Sequence, residues 1–317
     1  MKLVAMPLTR SIATIAGLLV AGVVLPAAAI AQSFGFAVNS DDEFDADQLL
    51  RVNLFSGATE FIGPLPTSLE DVEGLAFGPD GTLYAVDNAT KAVFVVNPET
   101  VNALPVGNRR PNLGFSTASN LDFGMTFTCD NRLLLVAEET QSLYEIDITT
   151  GQASVIGASG GLGNPMTAIA SYGDRTVALA SGGTLHDIDV EAGTSSLIGQ
   201  IQGFEINDAG LAFDADGTLW AVLDGTRPET FEFLPGRILQ IDLATAEAQE
   251  FAQTRPGIES LAVAPPNGCT TGTPSPGEPV PTLSQWSVFL LVLLLGAAPL
   301  ASRRSVQRLT AANRGRR

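Results

Sequence analysis

The segment GLAFGPDGTLYAV at residues 74–86 recurs as GLAFDADGTLWAV at residues 210–222. Weaker copies begin at Gly124 and Ala168, and a last, shorter copy begins at Ser260. The five copies start 42 to 50 residues apart. A period of this size, combined with short strands, is typical of propeller blades. We therefore expect an all-β fold built from repeated sheets.

Each repeat continues in the same way after its first hairpin. An Asp-Gly turn supplies the left-handed backbone that a tight hairpin needs. A third strand follows, such as residues 143–148, in which apolar and polar residues alternate. This alternation predicts one buried face per strand. A shorter fourth strand, such as residues 153–157, completes an antiparallel meander.

The two ends of the repeat region complement each other. Residues 259–264 read as an innermost strand without partners, whereas residues 34–38, 49–54 and 59–62 read as three strands without an innermost one. Joining them closes the ring and removes the exposed sheet edges. We predict a five-bladed β-propeller over residues 32–268, closed by a blade of mixed termini. A pair of β-sandwiches is the alternative, and the regular period disfavours it.

The last 38 residues form a separate segment behind a Pro, Gly and Thr linker at residues 269–279. Residues 286–301 carry no charge, and residues 303–317 contain six arginines. This order predicts a short membrane helix with its basic tail on the cytoplasmic side. A buried core helix is the alternative, which the linker and the arginines make less plausible.

A short motif opens this segment at residues 280–287. It consists of Val280, Pro281, Thr282, Leu283 and, two residues later, Trp286. Together with the apolar run and the basic tail, it resembles the IPTL-CTERM sorting domain of Gram-negative bacteria, a relative of the PEP-CTERM signals handled by exosortases. Val280 and Ser287 depart conservatively from that family's pattern. The resemblance implies an exported protein that membrane sorting machinery recognises, with the segment either retained or cut.

The N-terminus also predicts export. Lys2 and Arg10 precede an apolar stretch at residues 12–24. Ala29-Ile30-Ala31, which follows this stretch, is a small-x-small cleavage pattern. We therefore expect residues 1–31 to be a removed signal peptide. A retained N-terminal anchor is the alternative.

Charge is divided unevenly along the chain. The net charge is −17, but residues 32–279 contain all 34 acidic residues and only nine of the 17 basic ones, which gives −25 for that segment. Such a surface disfavours nucleic acid and anionic lipid as partners. Cations, basic proteins and neutral glycans remain compatible with it, and solubility alone is an equally good explanation.

The two cysteines are Cys129 and Cys269. In an oxidising compartment, a pair in an exported segment is more plausibly a disulfide than a catalytic thiol or a metal site. We therefore predict a bridge between them.

Four innermost strands begin with an acidic residue, and an amide lies beside one of them. These residues are Glu73, Asp122, Asp208, Glu259 and Asn207. Antiparallel order within the blades brings the strand entrances to one face, the central mouth. Clustered carboxylates are hard oxygen ligands and suit Ca²⁺. We therefore predict a cation site at the mouth, with calcium as the candidate cofactor. Acids that cap loops or face solvent are the alternative.

Two loops on the same face carry further candidates. The first has five acids in seven residues, a second set of candidate metal ligands: Asp41, Asp42, Glu43, Asp45 and Asp47. The second loop, residues 224–236, carries Phe231 and Phe233 as candidate binding residues.

The repeat cadence resembles NHL and gluconolactonase-like propellers. In the latter enzymes a Glu, Asn and Asp set holds the metal that activates water, and the mouth residues resemble that set. Two hypotheses follow. The first is a non-enzymatic surface module that binds a cation, a glycan or a protein. The second is a metal-dependent, lactonase-like hydrolase, which requires all five mouth residues to converge on one point. The absence of a serine elbow, a phosphate loop or a zinc motif favours binding.

Overall fold

The computed structural model describes residues 33–40, 47–108, 110, 112–116, 121–227 and 232–269. Several predicted features lie outside these residues: the signal peptide, Asp41, Asp42, Glu43, Asp45, Phe231 and the whole sorting segment with its membrane helix. In the described part of the chain, no helix has the length and hydropathy needed to cross a membrane.

Twenty-one strands are present in the described residues. The three-stranded sheet is β1 (Phe34–Asn39), β2 (Gln48–Asn53) and β3 (Thr59–Pro64). Blade one is β4 (Val72–Phe77), β5 (Leu83–Asp87), β6 (Ala92–Val96) and β7 (Ala103–Pro105), followed by a 3-10 turn at Val106–Asn108. Blade two is β8 (Phe123–Phe127), β9 (Leu133–Ala137), β10 (Ser142–Ile146) and β11 (Ala153–Ile156). Blade three is β12 (Met166–Tyr172), β13 (Arg175–Ala180), β14 (Thr184–Asp189) and β15 (Thr194–Gln200).

Blade four contains an insertion that the other blades lack in the described residues. Its four strands are β16 (Ala209–Phe213), β17 (Leu219–Leu223), β20 (Gly236–Ile241) and β21 (Ala248–Thr254). Between β17 and β20 lies a separate two-stranded ribbon, β18 (Thr226–Arg227) and β19 (Glu232–Phe233). Phe233 therefore lies in the ribbon. Every pairing within the blades is antiparallel between neighbouring strands, as the meander predicts.

Closure of the ring uses both ends of the described chain. Phe36 and Ala262 exchange backbone hydrogen bonds of 2.7 and 2.8 Å. A second bridge pairs Asn39 with Ile258. Between the two bridges, the Val38 amide donates a 3.0 Å hydrogen bond to the Ser260 hydroxyl oxygen. Residues 258–262 thus serve as the innermost strand of the three-stranded sheet. The five-bladed propeller with a closing blade of mixed termini is confirmed.

The hydrophobic core is divided into five clusters, one between each pair of neighbouring blades. Strand β10 illustrates the arrangement. Leu143 packs toward blade three, whereas Tyr144 and Ile146 pack toward blade one. The expectation of one buried face per strand is wrong here, because each blade is enclosed between two others. Burial on both faces explains apolar runs such as β9, whose five residues are all buried.

The glycine of the GLAF repeat lets the innermost strands approach each other around the axis. A Cβ on Gly124 would lie 2.7 Å from the Ala168 Cα, and one on Gly210 would lie 2.5 Å from the Ser260 carbonyl carbon. Both distances are shorter than any ordinary contact, so a side chain there would push two blades apart. The glycine of the repeat is therefore required for the blades to pack around the axis. The close approach of the innermost strands leaves a narrow central channel.

Candidate cation site at the propeller mouth

Three carboxylates from three blades meet at the entrance to the central channel. Glu73 enters on β4, Asp208 lies directly before β16, and Glu259 lies on the closing strand. One oxygen of each lies within 4.8 Å of the others. Glu73 is buried, while Asp208 and Glu259 are partly exposed. We call these three residues the carboxylate triad. Three of the five predicted mouth residues are thus brought together.

Neighbouring side chains hold the triad in place. The Thr167 hydroxyl and the Ala209 amide donate hydrogen bonds to Asp208 Oδ1, the latter at 3.0 Å. The Ser40 hydroxyl donates to Glu259 Oε2 at 2.5 Å. Glu73 is hydrogen-bonded to the side chain of Asp71. These hydrogen bonds orient each carboxylate of the triad.

Burial in a crowded acidic environment perturbs all three groups. Burial raises the pKa of Glu73 well above its usual range, and the charges of Glu259 and Asp208 raise it further. Burial likewise raises the pKa of Asp208, with Asp122 adding to the effect. For Glu259, burial and then the charge of Asp208 raise the pKa. Like charges at this separation resist simultaneous ionisation, so the triad favours either protons or a cation.

An apolar layer beneath the triad explains this desolvation. Leu75, Met125, Leu211 and Leu261 are each at least 96% buried, and they line the channel between the carboxylates and its opposite end. The remaining space beside the triad is about 10 Å³, too little for a second hydrated ion below it. The channel beneath the triad therefore has no room through which an ion could reach the carboxylates from within.

The opposite end of the channel is closed by the chain itself. Residues 263–267 cross it next to Phe77, Phe127, Tyr172 and Phe213, leaving a cavity of about 30 Å³. The Gly173 amide donates a 2.7 Å hydrogen bond to the Asn267 carbonyl, which fixes the crossing segment. We call this end of the channel the closed end, and the end that carries the triad the open end.

Asp122 belongs to the mouth but forms a different contact from the one predicted. Its side chain is hydrogen-bonded to Glu138, which also accepts a 2.5 Å hydrogen bond from the Ser181 hydroxyl. Burial, with the hydrogen bond and the charge of Glu138, raises the pKa of Asp122 to about 7. Asp122 is not one of the three residues whose oxygens share a common point.

A buried lysine lies beside the acids. Lys91 is 2% exposed. Its ammonium donates one hydrogen bond to the Asn88 side-chain oxygen and another, of 2.5 Å, to the Asn88 carbonyl oxygen. The Asn88 amide in turn donates to Asp71 Oδ2 at 2.8 Å. Burial lowers the pKa of Lys91, and the charges of Asp71 and Glu73 oppose this. Lys91 therefore offsets part of the negative charge from the side of blade one.

The other candidate ligands lie elsewhere. Asn207 lines a separate cavity beside blade four. Asp47 is buried and accepts a 3.3 Å hydrogen bond from the Val72 amide, so it positions the start of β4. His186 is buried on β14, where burial lowers its pKa and Thr184 contacts its ring. Cys129 and Cys269 are both disulfide-bonded.

Sequence reasoning missed four polar residues that surround the triad: Ser40, Asp71, Glu138 and Thr167. Ser40 and Glu138 directly follow the second strand of their blades. Thr167 occupies the strand entrance of blade three, where the repeat has no acid. A search for polar residues at the ends of second strands would have found the first two.

Residues 278–304 match the IPTL-CTERM motif. The predicted sorting segment is confirmed to that extent, and the IPTL-CTERM motif implies export, membrane association and contact with sorting machinery. No curated protein matches this chain.

Solved structures with similar folds include three named proteins. The nidogen/laminin complex has 12% identity over 75% of this chain and 82% of that chain, with a TM-score of 0.47. A virginiamycin B lyase from Staphylococcus aureus has 16% identity over 69% and 70%, with a TM-score of 0.40. Glutaminyl cyclase from Myxococcus xanthus has 16% identity over 58% and 70%, with a TM-score of 0.40. Similarity at this level assigns no ligand, reaction or partner to this chain.

Proposed function

We propose that this chain is an exported surface propeller that binds a divalent cation, of the Ca²⁺ class, at its mouth. The observation that carries the proposal is the convergence of Glu73, Asp208 and Glu259 from three blades, with their oxygens within 4.8 Å. Burial, with added repulsion from neighbouring carboxylates, raises all three pKa values, and a cation at their centre would compensate the negative charge that burial destabilises. The ion would also bind three blades together.

Calcium suits the chemistry of the donors. All three ligands are carboxylate oxygens, and soft ligands are absent from the triad. Ca²⁺ takes six to eight oxygens in flexible geometry, so three carboxylates would leave positions for water or for a ligand on the open side. Mg²⁺ demands a tighter octahedron and releases its water reluctantly.

The triad lies at the end of the channel opposite the point where the described chain of the propeller ends. The chain continues toward the sorting segment from Gly268, which lies against Tyr172 at the closed end of the channel. We propose a module that presents its open end to partners at the cell surface, with the segment retained or removed after sorting.

Thermal unfolding of the purified full-length chain tests the cation site. We expect millimolar Ca²⁺ to raise the Tm by roughly 5–10 °C over EDTA, as for a ligand at about 100 times its Kd. The double variant Glu73→Gln/Glu259→Gln should lose this response. Glu60→Gln, the same change at an exposed residue of β3, is the matched control and should keep it. An equal Ca²⁺ response in the double variant would refute the site.

A metal-dependent hydrolase is the second candidate, favoured by one observation. A carboxyl with a pKa of about 7, as in Asp122, is suited to general base catalysis at neutral pH. Only three of the five predicted residues converge, so the hydrolase that requires all five is contradicted, and the candidate that is left uses the triad for the metal and Asp122 as the base. Binding is therefore the better supported function. Lactone hydrolysis with added Ca²⁺ distinguishes the two: Asp122→Asn should abolish activity if the hydrolase proposal holds, and a wild-type chain without activity on a lactone panel would count against it.

A further inference from the structure

An arginine joins blade two to blade three on the outer side of the ring. Arg132 directly precedes β9, and its Nε donates a 3.1 Å hydrogen bond to Glu145 of β10. The same guanidinium donates to the Val190 carbonyl of blade three at 3.4 Å and forms a 2.6 Å ion pair with Glu191. One side chain is thus held by a carboxylate of its own blade and by the backbone of the next blade.

Blade three repeats this contact toward blade four. Arg175 begins β13 and donates hydrogen bonds of 2.6 and 3.0 Å to the two carboxylate oxygens of Asp187 on β14. It also donates a 3.2 Å hydrogen bond to the Leu243 carbonyl of blade four. We call an arginine held by a third-strand carboxylate and by a carbonyl of the next blade the arginine clamp.

The strand register identifies the equivalent position in blade four. In both clamps, the residue two positions after the arginine is paired across the sheet with the carboxylate residue. In blade four, Trp220 is paired with Gln240, so Thr218 takes the place of the arginine and Gln240 that of the carboxylate. Trp220 packs in the cluster between blades four and five, and Thr218 and Gln240 lie on the same face of the sheet. Blade four therefore has no arginine clamp to blade five.

A cavity of about 480 Å³ lies where the clamp is missing. Its lining includes Thr218, Gln240, Gln249 of β21, and the exposed acids Asp242 and Glu247. The lining that the structure describes contains no lysine or arginine. We call it the clamp cavity. Its volume is in the range of ligand sites, about 300–1,000 Å³.

The polar side chains of the clamp cavity are free to accept hydrogen bonds. Among the described residues, none is hydrogen-bonded to the Thr218 hydroxyl, to the side-chain amides of Gln240 and Gln249, or to the Glu247 carboxylate. Gln240 and Gln249 are directly opposite each other on β20 and β21, so their Cβ atoms are about 5 Å apart. Two amide oxygens and a hydroxyl thus lie on adjacent strands, with a carboxylate beside them.

A guanidinium group matches these acceptors better than other cationic groups do. Its five N–H donors lie in one plane and can reach acceptors on several strands at once. A lysine ammonium is a compact point charge on a flexible stem and lacks this planar fork. The two acids of the lining, with no basic residue among the described ones, favour a cation over an anion.

We propose that the clamp cavity binds the guanidinium group of an arginine side chain from a basic partner protein. The bound arginine would take the place that Arg132 and Arg175 have in blades two and three. The strong negative charge of the propeller segment favours encounter with a basic partner. This inference goes beyond the proposed cation site and does not rest on it.

Titration of the purified full-length chain with the peptide acetyl-Gly-Arg-Gly-amide tests the proposal. We expect saturable binding in both Ca²⁺ and EDTA. Matched peptides with lysine or citrulline in place of arginine should bind about fivefold more weakly or not at all, since lysine lacks the planar fork and citrulline lacks the charge. Calorimetry measures the three affinities.

Variants at the cavity make the test specific to this position. Thr218→Arg/Gln240→Glu rebuilds the clamp of blade two and should abolish peptide binding without lowering the Tm. Gln240→Glu alone adds a carboxylate and should tighten binding of the arginine peptide about tenfold. Gln152→Glu makes the same charge change at an exposed glutamine of blade two and should bind like wild type.

Four results would each overturn the arginine proposal. These are no saturable binding of the arginine peptide, equal binding of the citrulline or lysine peptide, unchanged binding by a folded Thr218→Arg/Gln240→Glu variant, and equal affinities of Gln240→Glu and Gln152→Glu. If the double variant failed to fold, the comparison of Gln240→Glu with Gln152→Glu would still decide the proposal, because a gain in affinity does not arise from misfolding.

Discussion

The two ends of the central channel are built by the same innermost strands and have opposite chemistry. At the open end these strands begin with Glu73, Asp208 and Glu259, whose pKa values are all raised. At the closed end they finish in aromatic residues such as Phe127 and Phe213, which are buried under residues 263–267. The closed end stabilises the ring, whereas the open end costs stability in the absence of a cation. Such a cost is characteristic of functional sites.

The largest effect should come from the closed end. Phe213 is 6% exposed and lies 5.5 Å from the Tyr172 ring centre. Phe213→Ala should lower the free energy of unfolding by about 3–5 kcal/mol through lost burial and a new cavity. Urea unfolding measures the change. The stabilising effect of Ca²⁺ should persist, and its loss in this variant would show that the two ends are not separate.

The second effect concerns pH at the open end. In the unfolded chain, Glu73, Asp208, Glu259 and Asp122 release their protons near pH 4. In the fold, the pKa values of the first three are raised well above normal and that of Asp122 is about 7. The proton-linked stability is therefore fully present below about pH 4 and is lost as the pH rises through the folded values.

In EDTA, the Tm should accordingly fall between pH 5 and pH 8, with a loss of roughly 2–4 kcal/mol since several carboxyls contribute. Ca²⁺ should remove most of that fall, because it replaces the protons. Melting curves across this pH range in both solutions provide the measurement. A Tm that rises from pH 5 to pH 8 in EDTA would contradict the comparison between the two ends.

The third effect is smaller and has the opposite sign from an ordinary core mutation. Glu73→Gln removes a desolvated charge, so at pH 8 in EDTA it should stabilise the fold by on the order of 1–2 kcal/mol. Chemical denaturation of Glu73→Gln beside Glu60→Gln gives the comparison. If Glu73→Gln destabilised the fold and Glu60→Gln did not, the ionised Glu73 carboxylate would be shown to stabilise the fold without a cation.

The smallest effect concerns the positioning of the triad. Thr167→Val keeps the side-chain shape and removes the hydroxyl that donates to Asp208. We expect a loss of about 1 kcal/mol in Ca²⁺ binding, measured by calorimetric titration. Thr167→Ser restores the hydroxyl and should recover most of the affinity. Unchanged affinity in Thr167→Val would assign Thr167 to the fold alone.

Repetition made most of the fold accessible from sequence. The glycines at 74, 124 and 210 mark where blades approach each other, and this local requirement appears as glycine in three of the five copies. The missing partners at both ends then predicted the closing blade. Burial on both faces of β10 was not predicted, because a single strand does not show that its sheet lies between two others.

The mouth was predicted in part for a similar reason. Glu73, Asp208 and Glu259 could be found because they immediately precede or begin a repeat. Asn207 is adjacent to Asp208 in sequence, yet it lies at a bend and lines a separate cavity beside blade four. Ser40 and Glu138 reach the mouth from second strands, and their contacts depend on how neighbouring blades are rotated about the axis. Sequence spacing within one blade carries no information on that rotation.

The most direct test of the cation site is a crystal of the chain grown with Ca²⁺, examined by anomalous scattering. We predict one strong peak at the mouth, about 2.3–2.6 Å from oxygens of Glu73, Asp208 and Glu259. If the crystal in millimolar Ca²⁺ showed the three carboxylates close together at the mouth without an anomalous peak between them, the proposed cation site would be contradicted.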